Sequence, residues 1–126
     1  MPVRSLNSSV LVWPDRARVD RAVRAWAASI GGRRQDVQRI GYFGSYARGD
    51  WGVGSDLDVI AIVSAADETF ESRAGHWPTE ALPVPTEMLI YTADEFQRLV
   101  ARGDRFAGVL SREVVWVWPP DRDGAR

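Results

Sequence analysis

The chain has 126 residues, 45% of them hydrophobic and 26% charged, with a net charge of -1; this is the composition of a soluble globular protein, and the length suits one domain over residues 1–126 rather than two. Cysteine and lysine are both absent, all sixteen basic residues are arginine and His76 is the single histidine, which excludes disulfides, thiol catalysis, a P-loop lysine and a Schiff-base lysine, and argues against zinc chemistry and histidine triads. No apolar run approaches the ~20 residues of a membrane span and Met1 to Leu11 lacks a signal-peptide core, so a cytoplasmic location is expected.

Residues 1–12 show no clear period and read as a loose arm, or as an edge strand over 9–13. Trp13-Pro14-Asp15 reads as a helix start with proline in the first position. Val19, Ala22, Val23, Trp26, Ala27 and Ile30 then recur at helical spacing until Gly31-Gly32, which is expected to end the helix. From Asp15 to Arg39 seven arginines stand against three aspartates, a cationic segment that fits a solvated helix face or a surface for RNA or an acidic partner.

Arg39 to Phe43 reads as the first strand, followed by a turn and short helix from Gly44, and Asp56 to Val63 as the second strand. Beyond its aspartates the second strand is apolar on both faces, as in the middle of a sheet covered by helices. Residues 65–77 are weakly helical, and Pro78, Pro83 and Pro85 interrupt the chain before a strand over Thr86 to Thr92. Thr92-Ala93-Asp94-Glu95 is a capping box opening a helix through Leu99. A short helix near Phe106 to Leu110, a last strand over Glu113 to Trp118 and a frayed tail over 119–126 complete the chain. Strands alternating with helices predict an α+β fold, a small mixed sheet of four to five strands flanked by helices.

The chemistry concentrates between Gly44 and Asp58. A Gly44-Ser45 turn entering a helix presents N–H groups that lack internal partners, a cradle for phosphate oxygens. Ten residues later Asp56 and Asp58 stand at i and i+2, on one side of a strand, where two carboxylates can grip a divalent cation. Glu87 near the start of a later strand joins them if the two strands are parallel neighbours. Three carboxylates, two magnesium ions and a triphosphate make an in-line displacement of pyrophosphate by a hydroxyl, with Glu87 as a base. For each residue a structural reading stands beside the functional one: the aspartates as caps facing water, Ser45 as an N-cap, Arg48 as the partner of Asp50 rather than a phosphate clamp, and Trp51 as packing rather than a stacking or partner surface. Asp94 and Glu95 are accounted for by the cap, Glu80 lies in a proline-flanked loop, and His76 reads as a surface residue.

Gly44-Ser45, ten residues and Asp56-x-Asp58 resembles the signature of the DNA polymerase beta-like nucleotidyltransferase superfamily, and the short chain is similar to its minimal branch. The segment from Glu87 to Phe96 looks like the family segment with the third acid, although Glu87 stands where aspartate is usual. The resemblance implies the polymerase beta-like fold, catalytic and metal roles for Asp56, Asp58 and Glu87, and nucleotide contacts from Gly44, Ser45 and Arg48. It implies magnesium-dependent transfer of a nucleoside monophosphate, commonly AMP from ATP, to a hydroxyl. Many minimal members act as antitoxins that adenylylate a tyrosine on a HEPN-type helical toxin, so such a partner is expected. A non-catalytic module that neutralises its partner by contact is the alternative, and a metal nuclease a third reading.

Overall fold

The computed structural model describes residues 13–120. The expectations for the arm over 1–12 and for most of the tail lie outside the described residues. Along the chain come α1 (Arg16–Arg33), β1 (Val37–Phe43), α2 (Ser45–Arg48), β2 (Leu57–Val63), α3 (Phe70–Arg73), β3 (Thr86–Thr92), α4 (Ala93–Arg102), α5 (Arg105–Glu113) and β4 (Val115–Trp118), with two 3-10 turns between α3 and β3. The four strands form one mixed sheet in the order β3-β2-β1-β4. β1 is antiparallel to β2 and β4, and β2 is parallel to β3. The expected α+β fold is thus present.

Strand alternation assigns the two faces. Leu57, Val59, Ala61 and Val63 of β2 join Val19, Val23, Trp26, Ala27 and Ile30 of α1 in one buried cluster. Ile60 and Ile62 point the other way and pack with Leu99, Ala107 and Leu110 of α4 and α5. Because both faces are covered, β2 is buried along nearly its whole length, as its double-sided apolar pattern predicts. Tyr42, on the α1 face of β1, ties the layers by donating its hydroxyl to Asp20 at 2.7 Å.

Several boundaries differ from the sequence reading. Asp15 is the N-cap of α1, its carboxylate accepting the Arg18 N–H, so Pro14 lies outside the helix rather than in its first position. Gly31-Gly32 does not end α1, which runs on to Arg33. Gly31 instead lets the helix approach β4, since a Cβ there would overlap the Trp118 ring, while one at Gly32 would meet nothing within 4 Å. The weakly helical stretch 65–77 contains only a single α turn, Phe70–Arg73, and a 3-10 turn. The capping box at the start of α4 forms as expected, with reciprocal Thr92 and Glu95 bonds. Glu95 has a second duty, because its carboxylate also receives the buried Arg73 guanidinium in a two-point pair at 2.7 and 3.1 Å. Arg73 further donates to the Ile90 carbonyl and thereby links α3 to the outer strand. Among the described residues no helix is long and apolar enough to cross a membrane.

Candidate active site

β1 ends at Phe43, whose register partner is Asp58, and the chain turns at once into α2. Gly44 makes that turn at φ +82°, in the left-handed region that a side chain disfavours. A Cβ on Gly44 would also strike Asp58 Oδ2, so the carboxylate lies directly against the turn. Gly44, not Ser45, is the N-cap of α2, and Ser45 occupies the first helical position. The capping reading of Ser45 is therefore not met, because the cap position falls one residue earlier. The Gly44 carbonyl accepts from the Ala47 and Arg48 N–H groups, and Gly49 in the left-handed region stops the helix after one turn.

Asp58 is the second residue of β2 and Glu87 the second residue of β3, and the parallel register sets them side by side. Asp56 lies just before β2 rather than within it. Asp58 is half-buried, whereas Asp56 and Glu87 are exposed. Burial first, then the charges of Glu87 and Asp56, push the Asp58 carboxyl above its ordinary range, and the Arg48 cation opposes them. Asp58 thus lies within electrostatic reach of both other acids. Among the described residues no group of three or more acids or imidazoles forms a preassembled metal cage. An all-oxygen donor set in which Asp58 is repelled by its two neighbours still fits a hard divalent cation, which would relieve the repulsion.

Arg48 pairs with Asp50 at 3.1 Å, as its structural reading has it, and on its other side with Glu113 at 3.2 Å. Glu113 was expected to open the last strand, yet it is the final residue of α5, from which its carboxylate also accepts the Gly44 N–H at 3.3 Å. Sequence reading missed Glu113 as a site residue. The available signal is that an acid in the last turn of a helix opposes the helix dipole and needs a local partner. Trp51 stacks on the buried Tyr46 with ring centroids 5.7 Å apart and planes 7° apart, so one of its faces is already covered. Asp94 stands exposed in the first turn of α4, Glu95 is taken by the cap and Arg73, and Glu80 is exposed in a 3-10 turn. His76 is a surface residue 3.4 Å from Glu68. None of these joins the Asp58–Glu87 pair.

The model of the nucleotidyltransferase domain family matches residues 28–108, which include the turn, all three acids and the strands that carry them. The fold is similar to that of a Sulfolobus solfataricus protein proposed to be a nucleotidyltransferase, with a TM-score of 0.59 and 16% identity over 86% of this chain and 85% of that one. No curated protein matches the sequence. With the glycine turn laid against Asp58 and Glu87 in register beside it, the family match places this chain in the nucleotidyltransferase domain family of the polymerase beta-like superfamily.

Proposed function

We propose that this chain is a magnesium-dependent nucleotidyltransferase that moves AMP from ATP to a protein hydroxyl, a tyrosine on a HEPN-type helical toxin, and so serves as that toxin's cytoplasmic antitoxin. The observation that carries the transfer chemistry is the β2–β3 register, which sets Asp58 beside Glu87 and next to the Gly44 turn. ATP, the tyrosine and the toxin rest on likeness to minimal family members.

Asp56, Asp58 and Glu87 are the residues that would hold the metal. When bound, the two ions supply charge neutralisation of the triphosphate and of the departing pyrophosphate. Asp58, pressed against Gly44 and raised in pKa, ties the acidic cluster to the phosphate turn. Glu87, exposed on the edge strand, is open to an incoming hydroxyl and takes its proton. Arg48 and the Gly44 N–H hold and orient the phosphates, in competition with Glu113, which now satisfies both. That competition favours the second reading, a contact antitoxin with weak nucleotide binding.

Incubation with magnesium, labelled ATP and the co-purified partner separates the two. Label transferred to a partner tyrosine by the wild type, and lost with Asp56→Asn and Asp58→Asn, supports the enzyme. No transfer, with the double variant still neutralising the partner, refutes it.

A further inference from the structure

On the α4/α5 side of the sheet a cavity of about 350 Å³ is floored by Phe96, Leu110, Val114 and Trp116 and bordered by Val100, Gly103 and Gly108. Its volume lies at the low end of small-molecule pockets, ~300–1,000 Å³. Val100, on its border, is 55% exposed and continues the apolar surface outward from it.

Two cations flank this surface. The Arg39 guanidinium sits 3.6 Å over the Trp116 ring. The Arg112 guanidinium lies over Gly108, 3.2 Å from where a Cβ would stand. No carboxylate lines the cavity, and among the described residues neither arginine forms an ion pair. Partial burial against the ring desolvates the Arg39 guanidinium and lowers its pKa. An apolar floor with one cation on its lining, stacked on an indole, and a second beside its Gly108 border is complementary to an apolar stripe flanked by carboxylates.

We propose that this groove docks an acidic amphipathic helix of a partner protein, apolar side chains entering between α4 and α5 and carboxylates meeting Arg39 and Arg112. The groove lies on the same face of the sheet as Asp58 and Glu87, because Trp116 and Phe96 share a cluster with Ile60 and Ile62. A partner seated there is therefore carried on the face that bears the acids. The docking itself does not depend on nucleotide transfer.

Two synthetic helical peptides with the same leucines at i, i+3, i+4 and i+7, one flanked by glutamates and the other by lysines, are titrated into the full chain. Binding is followed by amide shifts of Gly103 and Gly108 and by the Trp116 indole shift. The glutamate peptide is expected to move these signals. Arg39→Gln, Arg112→Gln and the surface change Val100→Asp should each weaken it about tenfold, while Asp58→Asn leaves it unchanged. Equal binding of the lysine peptide, failure of both peptides, or shifts confined to other residues overturns the proposal. Sedimentation of the protein alone adds one more refutation: self-association abolished by Val100→Asp would assign the face to a second copy of this chain.

Discussion

Glu95→Gln probes the interaction that links α3, β3 and α4. In the wild type Glu95 Oε1 accepts both the Thr92 N–H at 2.9 Å and Arg73 Nη1 at 2.7 Å, while Oε2 accepts Arg73 Nη2 at 3.1 Å. Glutamine can keep the Oε1 bonds but turns an amide donor toward Arg73 Nη2 and removes the charge that the buried guanidinium faces. The Arg73 hydrogen bond, more than any other influence, holds the Glu95 carboxyl down from 4.5 to about 2. At ~1.4 kcal/mol per pKa unit the unscreened ceiling is ~3 kcal/mol. The Glu95 side chain is 31% exposed, so water screens part of this. A loss of about 1.5–2 kcal/mol at pH 7 is expected, in line with hydrogen bonds to charged groups, and a fall in Tm of ~5–10 °C. A depressed carboxyl pKa stabilises the fold above the unfolded value and loses that contribution as pH falls through the folded value. The gap between wild type and variant should therefore be full above pH 5 and shrink steadily from about pH 4.5 toward 2. Urea unfolding followed by tryptophan fluorescence at pH 7, 5, 4 and 3 measures it. A gap below ~0.5 kcal/mol at pH 7, or one unchanged from pH 7 to pH 3, would refute the pairing.

Asp58→Asn is expected to abolish nucleotide transfer yet raise stability by about 0.5–2 kcal/mol, because a carboxyl with a raised pKa opposes folding when ionised. That cost is present at neutral pH and relieved as pH falls through the folded pKa; melts across pH with and without magnesium test it, with magnesium raising the wild-type midpoint only. Gly44→Ala should cost ~2 kcal/mol or more, combining positive φ with collision against Asp58, whereas Gly49→Ala, at φ +92° with open space around it, should cost only the ~1–2 kcal/mol of backbone strain. Equal costs in chemical denaturation would remove the Asp58 contact from the account. Gly31→Ala should destabilise by ~1–3 kcal/mol through overlap with Trp118, while Gly32→Ala stabilises by ~0.5–1 kcal/mol through helix propensity; the same sign for both in thermal melts would contradict the packing of α1 on β4.

Element order is legible along the chain, because hydrophobic period and turn chemistry are local. The double-sided apolar run of β2, the capping box at Thr92 and the Gly44 turn are all written in neighbouring residues, and each stands in the structure near its expected place. The pair Asp58 and Glu87 was legible as two acids near strand starts, but only the parallel pairing of β2 with β3 decided that they are adjacent, since register is set by packing across 28 intervening residues. Gly31-Gly32 has the composition of a helix stop, and tertiary contact with Trp118 overrode it. Glu113 reads as a strand residue because the apolar run 114–118 follows it directly; it belongs to the site because α5 ends where Gly44 and Arg48 offer donors to its carboxylate. Local chemistry names the groups, and the sheet decides which of them meet.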